Sequence, residues 1–234
     1  MPLRAGGEHT GDPALRDDRD GARPGLPQRA LLRTLLFVRH AQARTNVEDA
    51  ISSTPPGAGL TPQGVEEAVF LRSKLAERSI DLGVATRLVR TQETLDLALD
   101  SRNISRIVLP ELDEIRFGSF EGGPLERYRA WAWTNPPDAP CPGDGESRAE
   151  AAARYADGLD ALLARPEDVV LAVSHSLAVR YALDASDGRF PSARVTAVEH
   201  ATAHELPADA VARAAETLRA WAAVPTFADE LPSG

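Results

Sequence analysis

The chain has 234 residues, 43% hydrophobic and 26% charged, a balance expected of a soluble globular domain with or without an added tail. A formal net charge of −9 repels nucleic acid and anionic lipid at long range, and no basic stripe offsets it, so neither is an expected partner. No apolar run approaches the roughly 20 residues of a membrane span. No signal-peptide core is visible, and a single cysteine, Cys141, excludes an internal disulfide, so the expected location is the cytoplasm.

Residues 1–30 mix glycine, proline and opposite charges without periodicity. They are expected to form a disordered leader, with one domain over 31–234. Residues 35–38, LLFV, are too short an apolar run for a buried helix and predict a strand. Thr61-Pro62 offers an N-cap followed by proline in the first helical position, and Val65, Ala68, Val69 and Leu75 then fall roughly on one face. A strand is predicted over 81–85, a helix over 88–99 and a third strand over 107–109. A long alanine-rich helix is predicted over 146–163. Residues 169–173, VVLAV, form the most apolar run and predict a central strand, followed by a helix over 176–185. Residues 194–206 suit a strand or strand pair, and 208–222 a final helix. Alternating strands and helices with near-continuous apolar strands imply an α/β fold, a three-layer αβα sandwich around a mostly parallel sheet.

Such sheets hold ligands just beyond the carboxyl ends of their strands. That rule selects Arg39-His40 after the first strand and Ser174-His175 after the most apolar one. Neutral imidazole is a nucleophile near pH 7, and an adjacent arginine offers a bidentate fork to an oxyanion. Arg90 falls in the first turn of the predicted helix over 88–99, where anions bind. Glu114 stands among Leu112, Ile115 and Phe117, an apolar wall suited to a carboxyl that holds its proton and donates it. Each residue alone has an ordinary structural reading, in a loop, a cap or a solvated face. Their common placement at one sheet edge argues for a site.

Together these segments resemble the histidine phosphatase superfamily, the phosphoglycerate mutase-like fold, over most of the chain from about Leu35 onward. The family's strand followed by Arg-His-Gly and a later Asn reads here as Arg39-His40-Ala41 and Asn46. Its Ser/Thr, Arg and Thr block reads Thr86, Arg90 and Thr94. Its acidic block reads Leu112-Asp113-Glu114 with Phe117-Gly118 and Glu121-Gly122. Gly145-Glu146-Ser147 precedes the long helix, and Val173-Ser174-His175-Ser176 matches Val-Ser-His-Gly. The sequence departs from that pattern at Ala41 and Ser176, where glycine usually stands and where added atoms are expected to crowd a phosphate. It departs again at Ala43, where many members carry a hydroxyl.

The resemblance implies phosphoryl transfer through a phosphohistidine. His40 would be the nucleophile, Arg39, Arg90 and His175 the ligands of the phosphoryl oxygens, and Glu114 the acid and base. It implies no cofactor and no metal, a small phosphorylated metabolite as substrate, and a homodimer at the level of the family. Asn46, Gln42, Arg116 and Ser176 are candidate substrate-binding residues, with Arg44, Tyr128 and Trp131 as further specificity candidates. A phosphatase is favoured over a phosphoglycerate mutase because the segment from Glu114 to His175 is short for a mutase. A catalytically weak binding member of the same fold is a second alternative. A metalloenzyme is the third: His200 and His204 stand four apart before Glu205 in HATAHE, on one face if helical. The flanking VTAV favours a strand, which would set them about 13 Å apart.

Overall fold

The computed structural model describes residues 32–227. The leader expected over 1–30 lies outside them. Five strands form one sheet: β1 (Thr34–Arg39), β2 (Leu82–Ala85), β3 (Ser105–Val108), β4 (Val169–Ser174) and β5 (Ala203–Pro207). Their spatial order is β3-β2-β4-β1-β5. All neighbouring pairs are parallel except β1 with β5, which run antiparallel. Seven helices accompany them among the described residues: α1 (Arg44–Val47), α2 (Pro62–Lys74), α3 (Val89–Leu99), α4 (Leu125–Ala132), α5 (Arg148–Leu163), α6 (Ser176–Ser186) and α7 (Ala208–Ala223).

The two central strands explain the layers. Successive side chains of a strand point to opposite faces. In β1, Leu36 and Val38 join Leu71, Leu95 and Leu99 of α2 and α3 on one face. Leu35 and Phe37 join Tyr155, Leu159 and Val211 of α5 and α7 on the other. In β4, Leu171 and Val173 go to the first core and Val170 and Ala172 to the second. Both faces are covered, which is why these runs are continuously apolar rather than alternating.

Several local signals hold. The Thr61 hydroxyl accepts from the Gly64 N–H at 3.0 Å, with Pro62 opening α2. Helix α5 begins at Arg148, two residues later than expected, because Ser147 is its N-cap in a capping box with Glu150. The third strand ends at Val108, with Leu109 donating its N–H to the Ala85 carbonyl at 2.9 Å.

The expectation over 194–206 needs correction, since only Ala203–Pro207 is a strand. The Val198 N–H donates to the Ser176 hydroxyl at 3.1 Å, and its carbonyl accepts from Arg39 Nη1 at 2.6 Å. Side chains at the sheet edge thus take the backbone groups that a ladder would need. Helices α1 and α4 were not predicted. Helix α4 carries an aromatic cluster in which Tyr128 packs edge-on to Phe117 at 4.7 Å and also lies 6.1 Å from Trp131.

Candidate active site

Register builds the centre of the site. Strands β1 and β4 are parallel neighbours with Arg39 opposite Ser174, so the next residue of each, His40 and His175, emerges at the same edge. The His40 N–H donates to the Ser174 carbonyl at 2.9 Å, and the two rings lie 5.4 Å apart between centroids. Both histidines are buried.

The tautomer of His40 follows from its partner. Nδ1 lies 2.7 Å from the Ala41 carbonyl oxygen, which can only accept, so the proton is on Nδ1 and Nε2 carries the lone pair. Burial, then the charges of Arg90 and Arg39, hold the ring well below the usual imidazole value. It is neutral at physiological pH, with its lone pair on Nε2.

Arg90, in the first turn of α3, faces both rings. Its Nε lies 3.1 Å from His40 Nε2, and its Nη2 lies 3.2 Å from His175 Nδ1 and 2.8 Å from the Ser52 carbonyl. His175 Nε2 therefore carries that ring's proton and donates to the Thr86 hydroxyl at 3.0 Å. Thr86 is held in turn by Thr91 at 2.9 Å. Thr94 receives the Ala41 N–H at 3.0 Å and donates to the Arg90 carbonyl at 2.7 Å. The Thr86, Arg90 and Thr94 block thus orients both imidazoles. Burial, with Arg90 and His40 next, also depresses His175.

Glu114 Oε2 lies 3.8 Å from His175 Nδ1, and its side chain is 14% exposed. Burial pushes its carboxyl up, against the opposing pull of Arg90, which suits a proton donor. The segment carrying it is clamped from behind. Arg154 donates Nε and Nη2 to the buried Glu146 carboxylate at 2.8 and 2.7 Å, and Nη1 to the carbonyls of Glu111 and Asp113 at 2.9 and 3.0 Å. Glu121 holds the facing loop, accepting from the Ser53 N–H and hydroxyl at 2.8 and 2.7 Å.

A cavity of about 360 Å³ is lined by Arg39, His40, Arg90, Glu114, Asn46 and Ser176, whereas His175 is fully buried and not among its lining residues. Its wall mixes apolar residues, Phe117, Tyr128, Trp133, Leu177 and Val195, with the charged Asp49, Arg129 and Arg148. Arg39 Nε is buried without a partner among the described residues, so an unsatisfied guanidinium donor stands beside the nucleophile. Such a donor set fits a tetrahedral anion.

Two expected ligands are elsewhere. The Gln42 side chain accepts from the Thr61 hydroxyl at 2.7 Å and does not line the cavity. Arg116 lies on a separate cleft and faces Glu146 at 3.7 Å. Arg44 and Trp131 are likewise absent from the wall, whereas Tyr128 is part of it. Ala41 has an ordinary negative φ and is not a lining residue, so its methyl group does not narrow the cavity. The Ser176 hydroxyl is engaged by Val198.

His200 was read only as a metal candidate, and the structure puts it in this cavity, 5.8 Å from His40 between ring centroids. HATAHE is not helical: His200 precedes β5 and His204 lies within it, so no helical face brings the two together.

The histidine phosphatase superfamily (branch 1) family model matches residues 35–206. The chain belongs to that superfamily. Among its relatives, the adenosylcobalamin/alpha-ribazole phosphatase of Escherichia coli K12 is 32% identical over 42% of this chain and 51% of its own length. The 2-carboxy-D-arabinitol-1-phosphatase of Triticum aestivum is 32% identical over 45% of this chain and 21% of its own. This chain therefore spans about half of the first relative and about a fifth of the second. The probable phosphoglycerate mutase GpmB of Erwinia tasmaniensis is 30% identical over 61% of this chain and 69% of its own length. In fold, the chain is similar to a putative alpha-ribazole-5'-P phosphatase from Escherichia coli, with TM-score 0.66 and 24% identity, covering 75% of this chain and 90% of that one. The alpha-ribazole phosphatase from Shigella flexneri superposes with TM-score 0.64 and 25% identity, over 74% and 89%. This histidine phosphatase superfamily chain thus has both phosphatases and a mutase-like protein among its relatives.

Proposed function

We propose that the protein is a phosphomonoester phosphatase working through a phosphohistidine, without a metal ion. The observation that carries this reading is the neutral His40, with its Nε2 lone pair facing the Arg90 fork. Phosphate binding would transfer the donors now resting on the two imidazoles to phosphoryl oxygens. His40 Nε2 then attacks phosphorus while the bond to the leaving oxygen breaks, and Glu114 gives that oxygen its proton. In the second step the Glu114 carboxylate takes a proton from water. The water oxygen bonds to phosphorus, the N–P bond breaks, and both residues return to their starting states. Arg39 and Arg90 spread the charge on the transferring group, the service a metal gives in other phosphoryl transfers, and His175 joins them once its Nδ1, released by Arg90, takes a proton from solvent. Asn46 and Ser176, which line the cavity, are the remaining candidate substrate ligands.

The aromatic residues of the wall, Phe117, Tyr128 and Trp133, favour an ester whose alcohol is bulky or aromatic. The experiment is a phosphomonoester panel spanning 1-naphthyl phosphate and glycerol 3-phosphate, with His40→Ala as control. At least tenfold higher kcat/KM for the aromatic ester is expected. Preference for the small polar ester would overturn this choice of substrate class. The mutase reading rests on the Erwinia relative, and isomer formed from 3-phosphoglycerate without phosphate release would favour it.

A further inference from the structure

His200 lines the cavity, and nothing above gives it work. Its placement is specific. Strands β4 and β5 are the two sheet neighbours of β1, so His175, after β4, and His200, before β5, flank His40 from opposite sides. Centroid distances are 5.4 Å to His175 and 5.8 Å to His200. The backbone is strained where it sets the ring: Ala201 has φ +46°, which L-residues rarely adopt, and donates its N–H to the Arg39 carbonyl at 3.0 Å.

The ring's two nitrogens differ. Nδ1 faces Glu67 Oε2 at 3.9 Å, too far for a hydrogen bond, and Nε2 is buried without a partner among the described residues. A buried unpaired imidazole nitrogen is costly, so the site implies a missing partner. The charged and titratable groups facing it are Arg39 from β1, His40 directly after that strand and Glu67 from α2.

We propose that His200 is a phosphoryl-binding residue that takes up a proton when the anion binds, bridging the Glu67 carboxylate and an oxygen of the group held at His40. This rests on the phosphohistidine reading above. Burial and then Arg39 push the ring down to about 4, so by itself it is neutral. A dianion on one side and a carboxylate on the other reverse that balance and fill both nitrogens with protons. The step forms one N–H bond on the ring with a proton given up by solvent or buffer acid, and no bond to phosphorus changes.

The test is titration calorimetry of the protein with tungstate, a tetrahedral dianion, at pH 7.5 in two buffers of different ionisation enthalpy. His200→Ala should weaken binding about tenfold or more. His200→Gln, which keeps a donor, should recover part of the affinity but none of the proton uptake. The difference in uptake between wild type and His200→Gln should approach one proton per tungstate. Equal affinity and equal uptake in all three proteins would overturn the proposal. If wild type still forms acid-labile phosphate on His40, this inference alone then fails. Absence of both tungstate binding and phosphohistidine in wild type would overturn the phosphatase reading with it.

Discussion

Arg90 Nε lies 3.1 Å from His40 Nε2, a cationic donor resting on the lone pair of the nitrogen that would attack phosphorus. The contact keeps the nucleophile neutral and aligned, and an incoming anion outcompetes it. Arg90→Ala should lower kcat by about 10²–10³, the usual cost of losing one preorganised donor to a developing oxyanion. Arg90→Lys should restore little, because one ammonium cannot address both imidazoles and the Ser52 carbonyl as the fork does. Steady-state kinetics on 1-naphthyl phosphate checks both variants.

The pH profile follows from two opposite shifts. His40 must be neutral to attack, and its pKa is depressed by burial and two arginines. Activity is therefore retained as pH falls below 6.5. Glu114 must be protonated in the first step, and burial raises its pKa above that of an ordinary carboxyl. Activity is lost as pH rises through that raised value. The kcat/KM profile should be bell-shaped with an acidic optimum. Glu114→Gln should abolish the alkaline limb and cut the rate by roughly 10²–10⁴. The loss should be smaller for p-nitrophenyl phosphate, whose leaving group needs little protonation.

The buried Glu146 and Arg154 pair holds the backbone that carries Glu114. Arg154→Met removes the close partner of the buried Glu146 carboxylate, leaving the longer Arg116 contact at 3.7 Å, and should cost about 3 kcal/mol. That corresponds to a fall of about 6–12 °C in Tm for a domain of this size. The double variant Glu146→Leu with Arg154→Met should regain part of the stability but not the kcat, because the Glu114 segment stays loose. Thermal unfolding beside steady-state kinetics separates the two effects.

Ala41 stands where the family carries glycine, yet it has negative φ, donates to Thr94 and does not line the cavity. Ala41→Gly should leave kcat within about twofold and lower stability by about 0.5–1 kcal/mol through a freer unfolded chain. A large rise in turnover would show that the methyl group does crowd the phosphate.

What the sequence made legible was set by local physics. LLFV and VVLAV read as buried strands because both sheet faces are covered, and the strand-end rule then picked out His40 and His175. Glu114 was recognisable from its apolar neighbours. Gln42 and Arg116 lie beside those residues in sequence, but side-chain direction is not written in proximity: one turns to Thr61, the other to a second cleft. The run over 194–206 looked like a strand because Val195 and Val198 are apolar, and it is not one because Arg39 and Ser176 take the Val198 backbone groups. His200 was missed as a site residue because its direction depends on the bend at Ala201 and on β5 running antiparallel beside β1. Neither feature leaves a periodic trace.

The most direct test of the central claim is a rapid-quench reaction with a phosphomonoester, followed by mass spectrometry of the protein at alkaline pH. The account predicts one acid-labile, alkali-stable phosphoryl group on His40, formed before phosphate is released and absent in His40→Ala. Full turnover by His40→Ala, or phosphate release without any phosphorylated enzyme, would contradict it.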